Sequence, residues 1–262
     1  MANSAMDSPV RIANAATLIC LRRSRAPTTA SSGLWDVLLG QSEVKNWLRS
    51  TPDVTRVMRY PGEWKFPGGV VDEEDKTLKD TAIRELEEEF LGVSVPQESA
   101  QIDFFGAKLT RPIQRRRHRM FNFVAFEDDN FTWLNDDVVR LVNESLAMKR
   151  EEFDRYVESG RYWQMSEQEK MAVSPEIRRV AWFPIDQVIE MMSASISDPH
   201  RPLDDWQGRQ FRLHNVSQRD PMYISMVILQ GIRAFETCDA LRAFVKEQVP
   251  PSLDQLAQTS NL

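Results

Sequence analysis

Cysteine is nearly absent: the 262 residues hold two, Cys20 and Cys238. A disulfide framework is excluded, and so is a zinc site built mainly on thiolates. Histidine is almost as scarce, with His118, His200 and His214 leaving little for an imidazole metal centre. No apolar run approaches the roughly 20 residues of a membrane-spanning helix, so no membrane partner is expected. Basic charge is not in excess either. Lys and Arg total 33 against 39 Asp and Glu, a net charge of −6, which argues against a general nucleic-acid coat but leaves room for a local basic patch. What is present is 42% apolar and 27% charged residues, the mix of a globular chain long enough for a real core.

Residues 1–10 are small and polar and read as a frayed tail; Arg11, Arg22, Arg23 and Arg25 with few acids nearby would also suit an import peptide. Ala15 to Leu21 is a short apolar run of the buried-strand kind, and Trp35 to Gly40 a second. The Pro/Thr/Ser/Gly stretch from Ala26 to Gly33 makes them a hairpin. Residues 41–65 read as a polar connection and Phe66 to Val71 as a turn or short strand. A helix is expected from about Lys76 to Phe90, because Leu78, Ala82, Leu86 and Phe90 recur every four residues. Further strands are expected at Phe104–Leu109, Met120–Phe126 and Val180–Phe183, and helices at about 135–158, Ile185–Met192 and Tyr223–Gln248. The pattern predicts an α/β sandwich in one domain over 11–248, with an insert at about 127–175 and a C-terminal tail at 249–262.

The chemistry is concentrated in Gly68-Gly69-Val70-Val71-Asp72-Glu73-Glu74-Asp75 and the Arg84-Glu85-Leu86-Glu87-Glu88-Glu89 that follows. Glu85, Glu88 and Glu89 are spaced i, i+3 and i+4, so they share one helical face and repel. They lie toward the C-terminal end of the helix, where the macrodipole does not favour anions. A divalent cation would remove the repulsion, and carboxylates without soft ligands suit Mg²⁺ or Mn²⁺. The paired glycines allow close backbone approach, so the Gly69 carbonyl can face the same ion. An acidic helix more often presents a solvated face. The preceding Phe-Pro-Gly-Gly turn, the embedded arginine and the apolar stripe together set this one apart.

With these residues the sequence resembles the Nudix hydrolases. Their signature is a glycine, a spaced acid, then Arg-Glu-aliphatic-any-Glu-Glu, another residue and glycine. Residues 84–89 match its centre. Asp75 stands where the family usually has Glu, one extra residue separates Gly69 from Arg84, and another separates Glu89 from Gly92. Phe66 to Asp75 is similar to the Phe-Pro-Gly-Gly-x-x-Asp-x-x-Asp of the coenzyme A diphosphatase branch, and Arg59-Tyr60-Pro61-Gly62-Glu63 to the arginine and Gly-Glu pair before it. The branch's upstream Leu-Leu-Thr-x-Arg-Ser is only loosely echoed by Leu38 to Ser42, which lacks the arginine. The resemblance spans roughly 12–126 and the Trp182 region.

The resemblance implies a Nudix α/β/α sandwich with a mixed sheet, carrying inserted and C-terminal helical segments. It also implies metal-dependent cleavage of a nucleoside diphosphate linked to a group X, with coenzyme A or its esters as the leading substrate. Glu85, Glu88 and Glu89 would bind Mg²⁺ or Mn²⁺ with help from the Gly69 carbonyl, Glu85 or Glu88 acting on water and Arg84 holding a carboxylate in place. A later acid would complete the set, from among Glu127, Asp128, Asp129 and Glu176. Diphosphoinositol polyphosphates, dinucleoside polyphosphates and RNA 5′ ends are alternative substrates, and a catalytically silent binding module is the alternative of another class.

Arg111 to Arg119 forms a basic loop with Arg115, Arg116, Arg117, His118 and Arg119 close together. It is either a solvated hairpin tip or, with Arg59, a clamp for extra substrate phosphates. Trp35, Trp64 and Trp182 are candidates for stacking on a base, though tryptophan is more often core. Cys20, in an apolar strand, is expected to be inert. The helix at 223–248 would cover the core or form a homodimer face. Ser260-Asn261-Leu262 is similar to the Ser-Lys-Leu address, which predicts a peroxisomal or glycosomal location ahead of a cytoplasmic one.

Overall fold

In the computed structural model the described residues are 11–25, 34–58, 61–92, 101–110, 116–127, 134–197, 203–204, 210–211 and 220–259; the side chains of 116, 194–226 and 259 lie outside the description. The first strand, β1 (Arg11–Arg23), is the axis of a seven-stranded sheet. One edge of β1 pairs in parallel with β6 (Arg116–Glu127) along its whole length, from Arg11↔Arg116 to Arg22↔Glu127. Its other edge is shared. Ala15 to Thr17 face β4 (Gly68–Val70), and Leu21 to Arg23 face β2 (Trp35–Ser42), both antiparallel. The expected hairpin is therefore present, but its strands part after three pairs. The Phe-Pro-Gly-Gly segment enters the split, where the Leu18 N–H donates to Pro67 O at 3.1 Å.

Beyond this, β2 pairs with β3 (Trp64–Lys65) and β7 (Ile177–Pro184), and β5 (Ile102–Leu109) lies outside β6. A short ribbon, β8 (Leu203–Asp204) with β9 (Gln210–Phe211), stands apart from this sheet.

Alternation along the strands fills two cores. Ala16, Leu18 and Cys20 of β1 face one side with Phe121, Phe123 and Ala125 of β6. Ile19 and Leu21 face the other with Val124 and Phe126. The first side is covered by α1 (Leu78–Leu86), α2 (Asp136–Glu158) and α8 (Leu253–Thr259). The second is covered by α5 (Ile185–Ser197), α6 (Asp220–Arg233) and α7 (Cys238–Lys246). This is the expected α/β/α sandwich with a mixed sheet. Two shorter helices, α3 (Arg161–Gln164) and α4 (Glu167–Val173), follow α2. Cys20 is buried in the first core, and burial pushes its thiol pKa well up, as an inert thiol requires.

Four expectations are corrected. The 41–65 connection is not simply polar: Val44 and Trp47 are buried, and Trp47 joins Phe153 and Tyr162 in a third cluster. The basic segment is not wholly a loop, since Arg116 to Arg119 are strand residues of β6. The helix expected over 223–248 is two helices, because Thr237 caps α7 by accepting the Ala240 N–H at 3.1 Å. The 249–262 segment is not a tail throughout, since Leu256 of α8 is buried in the first core.

Residues 1–10, Arg59, Arg111–Arg115, Asp128, Asp129, His200, His214 and Ser260–Leu262 lie outside the described residues. No helix among those described is long and apolar enough to cross a membrane.

Candidate active site

Thr77 starts the glutamate helix by accepting the Asp80 N–H at 3.1 Å. The apolar stripe then faces inward as expected, with Leu78, Ala82, Leu86 and Phe90 all buried. The extra residue before Gly92 is expected in the loop after Glu89; instead the helix itself absorbs it. Residues Glu87–Leu91 form a π-helical turn, and Gly92, at φ 66°, closes it by donating to Glu87 O at 2.7 Å. Phe90 fits beneath Gly40, where a side chain would collide with its ring: a Cβ there would stand 2.4 Å from Cε1.

The three glutamates do not share one environment. Glu85 packs against the Gly69 backbone so closely that a Cβ on Gly69 would lie 2.2 Å from its Oε1. Glu89 is the most enclosed. Its Oε2 accepts the Gly68 N–H at 3.1 Å, and its Oε1 is paired at very short range with Lys65. Glu88 is 61% exposed at the rim.

Arg84 joins them. Its guanidinium donates to both oxygens of Asp75 at 3.1 Å, to Glu85 at 2.9 Å, to Glu88 at 3.1 Å and to Val70 O at 3.2 Å. Its bonds hold carboxylates on three sides, and Asp75 makes a bidentate pair with it.

Burial raises the Glu85 carboxyl to about 7, with the Glu89 charge adding and Arg84 opposing. Burial likewise raises Glu89, against the pull of Lys65 and the Gly68 N–H. At Asp75 burial works upward too, but hydrogen bonds from Arg84, the Asp72 N–H and Thr81, with the Arg84 charge, hold the carboxyl below its usual range.

Glu85, Glu88 and Glu89 form one wall of a cavity of about 460 Å³. Glu176, just ahead of β7, lines the same cavity, and its backbone is fixed by the Glu43 N–H donating to Glu176 O at 2.7 Å. Of the late acids considered, Glu176 is the one the fold brings in. Glu127 pairs with Arg25 at the far end of β1. It is six strand residues beyond the Ala16 that faces Gly69, about 20 Å.

Arg117 and Arg119 do not line this cavity; Arg119 borders a separate depression beside Pro251 and Leu256. The tryptophans are packing residues: Trp35 stacks with Phe126, Trp64 with Phe183, and Trp182 lies under the Arg22 guanidinium. Sequence reasoning missed Lys65, Lys149, Glu152 and Tyr156, of which the last three also line the cavity. Lys65, two residues before the Pro-Gly-Gly turn, had a usable signal: a lone cation beside an acidic motif.

Among the described residues no group of three or more His, Cys, Asp or Glu side chains is gathered as a ready metal cage. Lys65 and Arg84 already neutralise these carboxylates, Arg84 bridging Glu85 and Glu88 and Lys65 pairing with Glu89. The donor set nonetheless fits a hard divalent cation. It is all oxygen, it contains two mutually repelling enclosed carboxylates, and the charges that now compensate them belong to movable side chains.

Residues 54–155 match the model of the NUDIX domain. This match runs through most of α2. No curated protein matches the chain.

Among solved structures, the Nudix hydrolase of Alicyclobacillus acidocaldarius is 14% identical, with 93% of this chain and 100% of that one covered and a TM-score of 0.45. The NUDIX domain of Shewanella oneidensis NrtR, complexed with ADP ribose, is 15% identical over 72% and 82%, at 0.35. The Ap4A hydrolase of C. elegans is 15% identical over 68% and 85%, at 0.32. Likeness at this level does not bear on substrate.

Proposed function

We propose that this protein is a Nudix hydrolase, a metal-dependent pyrophosphohydrolase that cleaves a nucleoside diphosphate linked to X, with coenzyme A as the favoured substrate. The observation that carries the reading is the convergence of Glu85, Glu88, Glu89 and Glu176 on one cavity, with Arg84 bonded to Glu85 and Glu88 behind it. The coenzyme A preference rests on the Phe66 to Asp75 spacing.

Glu85, Glu88 and Glu89 would hold Mg²⁺ or Mn²⁺, with the Gly69 backbone beside Glu85. Bound there, the cation neutralises the diphosphate and lowers the pKa of water. Arg84 keeps Glu85 and Glu88 oriented, so little reorganisation is needed. Glu176, on the same cavity, would orient the attacking water and take its proton. The water oxygen bonds to one phosphorus, the P–O–P bridge breaks, and the bridging oxygen leaves with the other phosphate. The products are a nucleoside phosphate and phospho-X.

Glu88→Gln is the direct test, because Glu88 is exposed and its loss spares the core. Turnover of coenzyme A with Mg²⁺ should fall by about 10³-fold or more with the folded signal unchanged. An unaltered rate would remove this site. Arg59 and Arg115 to Arg119 remain proposed contacts for the coenzyme A 3′-phosphate, tested by comparing coenzyme A with its dephospho form. Failure of added polynucleotide to compete at low salt would rule out an RNA end.

A further inference from the structure

The cavity has a second wall of different chemistry. Helix α2 turns one face to it, with Leu146, Lys149, Phe153 and Tyr156 recurring every three to four residues, and Met171 of α4 closes it. The hydroxyl groups on this wall are engaged with other protein groups. Tyr156 Oη donates to Glu152 Oε1 at 2.5 Å, and Ser174 Oγ pairs with Tyr162 Oη at 2.8 Å. Leu146, the Tyr156 ring and Met171 therefore present apolar surface. Met171 is 67% exposed, an unbranched, adaptable side chain held at a cavity edge rather than in a core.

Lys149 is the one basic side chain among the described residues lining the cavity. Its Nζ stands 3.2 Å from where a Cβ on Gly92 would be, at the C-terminal end of the glutamate helix, where a cation is favoured.

We propose, resting on the pyrophosphohydrolase reading, that this wall selects X: an aliphatic arm packs on Leu146, Tyr156 and Met171, and Lys149 binds the phosphate that carries it. A sugar in the same place would find the wall's hydroxyls paired and its one acid, Glu152, already accepting from Tyr156, so its own hydroxyls would lose water for few partners. An aliphatic arm only removes apolar surface from water. Around a cavity otherwise lined by carboxylates, Lys149 supplies a fixed point charge for the phosphate.

Dephospho-coenzyme A and ADP-ribose test this, since they share adenosine diphosphate and differ in X. The wild-type kcat/KM for dephospho-coenzyme A should exceed that for ADP-ribose about tenfold. The paired substitution Leu146→Gln, Met171→Gln should remove that preference, by raising KM for dephospho-coenzyme A about tenfold. Lys149→Ala should lower kcat/KM for both about tenfold, with Lys149→Arg retaining most of it. Thermal melting separates these effects from loss of a helix-end contact, which would lower stability and leave the substrate ratio alone.

Equal use of the two substrates, or an equal loss of both in the paired variant, would overturn the inference and leave the activity standing. If the wild type hydrolyses neither, the activity reading falls, and calorimetry with Mg²⁺ decides the wall. Tighter binding of dephospho-coenzyme A, lost in the paired variant, supports it; equal or absent binding overturns it.

Discussion

Gly69 shows how a single hydrogen atom for a side chain shapes the site. The Glu85 carboxylate occupies the volume a Cβ would need. Gly69→Ala therefore displaces the carboxylate, the movable partner, rather than the strand. The expected result is a loss of turnover of about tenfold or more with a stability change under about 1 kcal/mol. Steady-state kinetics beside a denaturant titration would check it, and a large stability loss with retained turnover would contradict the placement. Arg84 is the complementary residue: one planar fork serves Asp75, Glu85, Glu88 and a strand carbonyl at once, a task lysine's point charge cannot reproduce.

At the scale of elements, α2 is tied to the sheet by a side chain that imitates a strand. Asn143 Nδ2 donates to Val180 O and its Oδ1 accepts the Val180 N–H, both at 2.9 Å, on the buried stretch of β7. The open edge of β7 is covered this way instead of by another strand. Asn143→Ala leaves a buried N–H and C=O without partners, which costs about 1–3 kcal/mol for each group left unsatisfied. The urea midpoint should fall with little change in slope. Because α2 also carries the second cavity wall, KM should rise with it.

A second tie joins the same helix to the turn after β2. Arg150 pairs at very short range with Glu43, which is fully buried and also has Arg178 at 3.8 Å. Burial raises the Glu43 carboxyl despite both arginines. Its backbone N–H holds Glu176, so the packing of α2 and the position of a cavity acid are set together.

Over the whole molecule, the enclosed carboxylates make stability depend on pH in two opposite senses. Glu85 has a folded pKa raised from about 4.5 to about 7. The folded state then binds more protons than the unfolded one in that window, so stability falls as pH rises from about 4.5 to 7 and stays lower above. The scale is on the order of 2–3 kcal/mol. Asp75 has its pKa lowered, so its contribution is present above about 3.8 and is lost as pH falls through the folded value. Denaturant midpoints should therefore be higher near pH 5 than near pH 8 without divalent ions. Glu85→Gln should flatten that difference. Mg²⁺ should stabilise more at pH 8 than at pH 5, because ligands must be ionised to bind it. Equal Mg²⁺ effects at both would mean that Glu85 does not take part.

Local features were legible before any folding was considered. Four-residue recurrence from Leu78 to Phe90 marked which face of the glutamate helix is buried, because that period comes from backbone geometry alone, and short apolar runs marked the central strands. The spacing of Arg84, Glu85, Glu88 and Glu89 placed the charged cluster, and the resemblance to the Nudix signature followed from it. Other features had no local signature. The split between β1 and β2 that admits Pro67 depends on which strand edges compete for the same partner. The division of the terminal helix at Thr237 and the docking of α8 depend on which core each segment meets. The distinct fates of Glu88 and Glu89 depend on Lys65 and on a π turn that one extra residue forces. Glu176 and Lys149 lie far along the chain from the glutamate helix; what brings them to the cavity is the pairing of β7 with β2 and the packing of α2, contacts between residues distant in sequence.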